Sequence, residues 1–255
     1  MADDIFAHFD FRRFEKKLRG FRALFELHAK HAEGFEQFFH DALQIHRIAF
    51  GILALPECCL AIAADLARPE DVERLWDEAL AWKGRIDVLV NNAAIYEPAD
   101  IDGSLEDWHA AWARIVQINL QAPADLCRAA IRHYRTRSGG IIVNVTSRGA
   151  YRGEQAAFGH YAATKGALGA LTRTIARAFA KDGVLAYCVS PGWAATEMAL
   201  QGASPEVLET AAQDIPLGEL TPPEDVAEVI TFLSSGRARH ATGVTIDVTG
   251  GSYMR

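Results

Sequence analysis

Hydrophobic positions follow two different rhythms along this chain. In the first fifty residues they recur at helical three-and-four spacing, as in Phe14, Leu18, Phe21, Phe25 and again Phe35, Phe38, Phe39, Leu43. From about residue 57 short apolar runs alternate with amphipathic helical patterns. LAIAADL (60–66) predicts a strand, and RPEDVERLWDEALAWKG a helix closed by Gly84. RIDVLVNNAA predicts a second strand, followed by a long helix from about Leu105 to Leu126 or beyond. IIVNVTS (141–147) is rich in β-branched residues, as a parallel strand buried on both faces would be. A helix from His160 to about Lys181, the strand VLAYCVSPG and an irregular polar stretch over 194–220 come next. PPEDVAEVITFLSS predicts a helix with prolines in its first turn, where a missing N–H is harmless. VTIDVTGG predicts the last strand. Repeated βαβ units of this kind predict an α/β fold, with a mostly parallel sheet and helices on both faces. No repeat, low-complexity segment or linker divides the chain, so a single domain over 1–255 is expected.

Composition and charge narrow the function classes. At 255 residues the chain can bury a sizeable core, and its net charge of -7 lacks the basic footprint of a nucleic-acid binder. No apolar run is long enough to span a membrane, and MADDIFAHFDFRR lacks the apolar core of a secretory signal. Cys58, Cys59, Cys127 and Cys188 show no disulfide framework, so reduced thiols and a cytoplasmic location are expected.

The candidate chemistry lies in the middle of the chain. Tyr161 and Lys165 are four apart at the start of a helix and share one face. An adjacent ammonium favours the phenolate, which is expected to lower the phenol's pKa and suit it to proton transfer at a carbonyl or alcohol oxygen. Ser147 ends the preceding strand, where open α/β sheets place their ligand crevice, and its hydroxyl can bond the same oxygen. Asn119, in VQINL, is placed to hold a water linking Lys165 to solvent. Taken alone, Tyr-x-x-x-Lys arises by chance on many helices, a core tyrosine beside a solvated lysine being the plainer account.

Several weak motifs stand in one order: Asp65 after a strand, Asn91-Asn92-Ala93-Ala94, Asn119, Ser147, Tyr161 with Lys165, Pro191-Gly192 followed by Thr196, and the final ATGVTIDVTGG. In order and interval, over about residues 57–255, this resembles the short-chain dehydrogenase/reductase family. The resemblance implies a Rossmann-like, doubly wound fold, and an oxidoreductase acting on CH–OH groups with NAD or NADP. It further implies that Ser147 orients the substrate oxygen and Tyr161 transfers the proton. Lys165 would tune Tyr161 and bond the nicotinamide ribose, with Asn119 supporting the relay. Asp65, with Leu66 beside it, would meet the adenine, and Asn91 and Ala93 the adenosine ribose. Pro191, Gly192 and Thr196 would line the nicotinamide. A small alcohol or ketone substrate and a homotetramer or homodimer are likewise implied.

Plainer roles stand beside these. Asp65 also reads as a helix N-cap, Asn91-Asn92 as a turn after a strand, and Pro191-Gly192 as a strand terminator. Tyr96, Arg148, Tyr151, Glu154, His160 and Trp193 neighbour the motifs and are candidates to shape the substrate pocket. Arg148 and Glu154 hint at a sugar, polyol or other polar substrate. Arg128, Arg132, Arg135 and Arg137 crowd one helix end, where basic residues complement the helix dipole.

The N-terminal segment departs from the family. A Val/Ile/Leu strand feeding a Thr-Gly-x-x-x-Gly-x-Gly turn is expected near residues 15–25, to grip the pyrophosphate. The chain there reads FEKKLRGFRAL, and Gly20 is the only glycine before Gly34. The first valine is Val72, the first serine Ser104 and the first threonine Thr136, while ten of the 13 phenylalanines lie within residues 1–50. A compensated reading-frame error in the coding sequence, entering after about Phe6 and leaving near Leu53, accounts for this, since the length of the stretch matches the family's. The alternative is a genuine helical replacement on a truncated sheet. NAD-versus-NADP preference is not readable, because the residue that decides it falls in this stretch. His28, His31, His40, His46, Cys58 and Cys59 lack a matching ligand pair, so no metal site is expected.

Overall fold

The computed structural model describes residues 60–196 and 204–255, together with the backbone of the two-residue strand β1 (Ala49–Phe50). The expectations for residues 7–52, both the reading-frame error and the helical replacement, lie outside the described residues except at Ala49–Phe50, as do the N-terminal histidines and Cys58–Cys59.

LAIAADL forms less strand than expected. Only β2 (Ile62–Ala63) is extended, and it pairs antiparallel with β1, apart from the main sheet. Helix α1 (Pro69–Lys83) opens on proline, with Glu70 and Asp71 in its first turn. It ends at Gly84, whose left-handed backbone (φ 65°) turns its N–H back onto the Leu80 carbonyl at 2.7 Å. Strand β3 (Val88–Asn91) is shorter than the apolar run that predicts it. The long helix is present but interrupted. α2 (Leu105–Val116) passes through a π-helical turn, Gln117–Gln121, into α3 (Ala122–Arg135). Such a widened turn swings the side chains after it to a new face, and π-turns concentrate at functional sites.

Strand β4 (Gly140–Val145) is followed by a short helix, α4 (Gly149–Arg152), and by α5 (Gly159–Phe179). Strand β5 (Val184–Pro191), α6 (Pro205–Gln213), α7 (Pro223–Ser234) and β6 (Thr245–Val248) complete the chain. α6 occupies part of the stretch expected to be irregular, because Ser204 caps it by accepting from the Val207 N–H and Pro205 starts it.

β3, β4, β5 and β6 form one parallel sheet in that order. Their registers are fixed by pairs such as Val90–Val143, Val143–Tyr187 and Val189–Ile246. Alternation along the strands splits the core in two. Ile142, Val184 and Ala186 face α1, α3 and α5, packing with Val72, Trp76, Ile131, Tyr134 and Ile175. Ile141, Val143, Leu185, Tyr187 and Val189 face α7, through Val226 and Leu233. The fold is therefore α/β and Rossmann-like, with helices on both faces of a parallel sheet.

Two consequences bear on the site. The carboxyl ends of β4, β5 and β6 lie side by side. Along the outer edge of β3, which pairs with no strand among the described residues, runs an apolar groove lined by Leu66, Leu75, Trp76, Val90 and Leu126.

Ile142 lies fully buried between β4 and the α3–α5 layer. Ile142→Ala removes three carbons from a site that cannot collapse, so urea unfolding is expected to show a loss of about 2–5 kcal/mol. A loss below about 1 kcal/mol would show that this layer is not tightly packed.

Candidate active site

Four stretches meet at the carboxyl end of the sheet: the β4–α4 turn, the start of α5, the end of β5, and the loop after β3. β4 delivers Ser147 two residues past its end, buried, with its Oγ accepting from the Gly149 N–H at 3.1 Å. α5 delivers Tyr161 and Lys165 in its first two turns, on one face as their spacing requires. The Lys165 side chain is 2% exposed, and its Nζ donates to the Val145 carbonyl at 2.9 Å. That nitrogen also lies 5.8 Å from the centre of the Tyr161 ring. Ser147, Tyr161 and Lys165 are thus brought together, as expected.

The electrostatics differ from expectation. Burial pushes the Tyr161 phenol up to about 12; hydrogen bonding to Ser147 opposes the rise, and the negative charge of Glu154 adds to it. Burial also pulls Lys165 down to about 8. The anticipated lowering of the phenol by the ammonium is absent, and desolvation is the largest influence on both groups. The phenol is kept neutral, and the lysine holds its proton less firmly than a free amine does, in a pocket that penalises an isolated charge.

Asn119 sits in the π-turn, fully buried. Its Nδ2 donates to the Ile95 carbonyl and its Oδ1 accepts from the Ile95 N–H, both at 2.9 Å. The amide therefore clamps the loop after β3 to the helix that covers it. Each amide atom keeps one further hydrogen-bonding position, so this clamp leaves the expected water link toward Lys165 open.

On the other flank, Asn91 ends β3 with its amide turned inward. It donates to the Asn144 Oδ1 at 2.8 Å and to the Cys127 Sγ at 3.3 Å. Asn144 in turn donates to Thr172 Oγ1 at 2.8 Å, and Thr172 to the Leu168 carbonyl. This buried chain ties β3, β4, α3 and α5 together beneath the site. Asn144 and Thr172 were not singled out from the sequence, although a polar residue inside the β-branched run IIVNV signals a satisfied interior amide.

Asp65 is not the N-cap its plainer alternative predicts, because Arg68 takes that position without a side-chain cap and Asp65 lies three residues before it. Its Oδ1 accepts from the Ala67 N–H at 3.0 Å, and its own N–H donates to Asp71 Oδ2 at 2.9 Å, fixing the turn into α1. Leu66 is buried in the core, with its carbonyl accepting from Gln117 Nε2 at 3.2 Å. Ala93 is half-buried at the head of the loop. Pro191 ends β5, its carbonyl accepting from the Arg148 N–H at 3.1 Å. Gly192 donates to the Val248 carbonyl and lies so near the next strand that a Cβ there would be 3.0 Å from Thr249 Cα. Thr196 is exposed, next to residues outside the description.

The substrate-side candidates assemble beside Tyr161. Tyr96 stacks on Phe158 at 4.0 Å and meets Tyr161 edge-on at 4.8 Å. The Glu154 carboxylate accepts from the Tyr96 hydroxyl at 3.5 Å and lies over Gly149, where a Cβ would collide with it. Arg148 donates to Ser252, and Arg152 pairs with Asp214 at 3.8 Å. Tyr151 takes the Arg255 guanidinium on its ring face, 3.6 Å from the centre. His160 is buried against Trp112, with no hydrogen-bond partner on either ring nitrogen. Trp193 is half-buried just past β5. The cluster can hold an oxygen between a hydroxyl and a phenol, and exchange a proton with it.

Comparison with known proteins decides the family. The family model described as Enoyl-(Acyl carrier protein) reductase matches residues 31–253. The chain belongs to the short-chain dehydrogenase/reductase family. It is accordingly an oxidoreductase, and the match reaches further toward the N-terminus than the motifs do. Cis-4-hydroxycyclohexanecarboxylate dehydrogenase of Sinomonas cyclohexanicum is 38% identical over 192 residues, 75% of this chain and 76% of the relative. The 3-ketoacyl-(acyl-carrier-protein) reductase from Brucella melitensis, solved with NADH, is 30% identical with a TM-score of 0.68, covering 77% of this chain and 79% of its own. A gluconate 5-dehydrogenase from Burkholderia cenocepacia J2315, solved with NADP and tartrate, is 30% identical with a TM-score of 0.66, covering 74% and 72%. Among the described residues, no helix is long and apolar enough to cross a membrane.

The buried lysine yields a stability signature. Its folded pKa, about 8, lies below its ordinary 10.5, so between those values the unfolded chain holds a proton that the native one has lost. Stability attributable to Lys165 therefore rises with pH across that window. Unfolding measured from pH 8 to 10 should show this rise in the wild type, and Lys165→Met should remove it. An identical slope in both proteins would mean the ammonium is not desolvated.

Proposed function

We propose that this protein interconverts a secondary alcohol and its ketone by hydride exchange with NAD or NADP, with Tyr161 as the proton-transfer residue. The observation that carries this reading is the convergence of Ser147, Tyr161 and Lys165 at the carboxyl ends of parallel strands, with Lys165 held to the Val145 carbonyl. The relatives named with NADH and NADP supply the cofactor class.

The residues present fit the nicotinamide half of such a cofactor. Gly192 leaves no room for a side chain against Thr249, so backbone rather than side chain borders the crevice there. Lys165, Pro191, Gly192 and Thr196 would hold that half. Asp65, Leu66, Asn91 and Ala93 would border the adenosine half with their main chain, since the Asp65 and Asn91 polar side chains are used internally. When bound, the nicotinamide supplies the hydride chemistry at the substrate carbon.

The protein's own work is at the oxygen. Ser147 and Tyr161 hold it from two sides and fix the reacting carbon in the crevice. In alcohol oxidation Tyr161, as phenolate, takes the hydroxyl proton; in ketone reduction it gives that proton back. Lys165, one helical turn on, stabilises the phenolate while it exists. Asn119 acts at a distance, fastening the loop after β3 through Ile95. The substrate is a small carbonyl or alcohol compound, and a homotetramer or homodimer is the assembly the family implies.

A second reading is a scaffold of the same fold that cannot retain the dinucleotide, favoured by the missing glycine turn in residues 15–25. Titrating NADH and NADPH against the fluorescence of the five tryptophans separates the two. Saturable quenching supports the enzyme, and no response to either supports the scaffold. Tyr161→Phe should bind dinucleotide nearly as the wild type does while losing at least about 10²–10⁴ in kcat, the usual worth of a positioned acid–base. Turnover within threefold of wild type would remove Tyr161 from the mechanism.

A further inference from the structure

We propose that Glu154 sets the substrate class of this site. Its carboxylate accepts a hydrogen bond from a second hydroxyl beside the reacting one, so that alicyclic vicinal diols and their hydroxyketones are taken ahead of the corresponding mono-alcohols. The inference rests on the dehydrogenase reading and refines it.

Three features support the assignment. The first is an apolar wall beside an acceptor. Tyr96 and Phe158 stack nearly parallel, at 3°, and Tyr96 stands at 89° to Tyr161, so a flat non-polar surface borders the phenol. A ring substrate can lay one face on such a surface and present its hydroxylated edge to polar groups. The second is unused acceptor capacity. A carboxylate offers about four lone-pair sites, and the only side-chain donor to Glu154 among the described residues is the Tyr96 hydroxyl, at a long 3.5 Å. Nor does Glu154 form an ion pair among the described residues, although Arg148 immediately precedes α4 and Arg152 ends it. Arg148 is directed to Ser252, and Arg152 to Asp214.

The third is place. The Glu154 carboxyl rests on Gly149, two residues from Ser147, in a space that any side chain at 149 would fill. It is close enough to Tyr161 for its charge to raise the phenol, and burial holds its own pKa above the ordinary carboxylate value. The groups facing it are Arg148 and Arg152 from the start and end of α4, Tyr96 from the loop after β3, and Tyr161 from α5. None supplies a short, committed hydrogen bond.

The chemistry stays balanced. The reacting carbon gives its hydride to oxidised NAD(P) and its hydroxyl proton to Tyr161. The neighbouring hydroxyl keeps its proton and shares it with Glu154. Glu154 is exposed, so the second hydroxyl replaces water on its carboxylate, and the net gain of such a hydrogen bond to a charged acceptor is about tenfold.

The test compares wild type, Glu154→Gln and Glu154→Ala as full-length chains, oxidising cyclohexanol and cis- and trans-1,2-cyclohexanediol with NAD⁺ and NADP⁺. All rates are taken on the alkaline plateau. The wild type should prefer one diol by about tenfold or more in kcat/KM, carried mainly by KM. Both variants should drop that ratio below about threefold. Dinucleotide quenching of tryptophan fluorescence confirms that each variant is folded. The midpoint of the rising pH limb for cyclohexanol should also move to lower pH in Glu154→Gln, because removing a negative charge eases ionisation of Tyr161, a change that a purely structural role would not produce. Turnover of cyclohexanol with no diol preference, or a preference that survives Glu154→Ala, overturns the assignment of Glu154 alone. Failure of the wild type to oxidise any of the three alcohols with either dinucleotide overturns the dehydrogenase reading and this inference with it.

Discussion

Burial of the Lys165 ammonium is the constraint around which the rest of this site is arranged. A lysine 2% exposed is tolerated only if its donors are met and its neighbours are polar in the right places. The Val145 carbonyl meets one donor because β4 ends there and leaves it free of the sheet ladder. That end position is in turn fixed by β5, whose register pairs Val189 with Val145 and carries Pro191 past the rim. Packing of Ile142 and Val143 on opposite faces locks the register, since a one-residue slip would send each to the wrong layer. The lysine's environment is thus a product of strand alternation deep in the sheet.

A second layer of polar bonds holds the pieces at fixed distances. The Asn91–Asn144–Thr172 chain runs across β3, β4 and α5, and Asn119 clips the loop after β3 to the helix above it. These amides touch no group that reacts. Their effect is to make the crevice rigid without using catalytic side chains as struts, which leaves Tyr161 and Ser147 free to meet a substrate oxygen. The π-turn at Gln117–Gln121 belongs to the same arrangement. It widens the helix where Asn119 must reach Ile95, a path that continuous α-helix would rotate away.

Much of this was legible in the residues, and the failures have definite causes. The βαβ rhythm from Asp65 onward places the four strands of the parallel sheet and the catalytic helix within a few positions, because buried parallel strands write themselves as β-branched runs. Tyr161, Lys165 and Ser147 converge because helical spacing and strand ends are local properties. LAIAADL misleads: Leu60 and Leu66 are apolar enough for a strand, yet only Ile62–Ala63 is extended, and it pairs with Ala49–Phe50. Asn119 and Asn91 were visible as polar residues at marked positions, but which partner each would choose depends on Ile95 and Asn144, far away in sequence. The pKa expectation failed for a similar reason. Helical spacing reveals that an ammonium lies near a phenol, whereas the desolvation that dominates both groups is set by the whole surrounding core.

That electrostatic result shapes how the site can work. With the phenol near 12 and the amine near 8, the phenol stays neutral at pH 7 while the lysine keeps a proton it holds less firmly than a free amine. A proton leaving Tyr161 creates a phenolate that Lys165 and Ser147 can answer but Glu154 resists. The site is therefore balanced by an anion opposing the very ionisation that two neighbours favour. A substrate hydroxyl bonded to Glu154 draws that anion's field toward itself and relieves the opposition. On this account substrate recognition and activation of the base are one event, because the group that reads the second hydroxyl is the group that holds the phenol back. An alcohol lacking that hydroxyl leaves the restraint in place, so discrimination arises at the reacting proton as well as in binding.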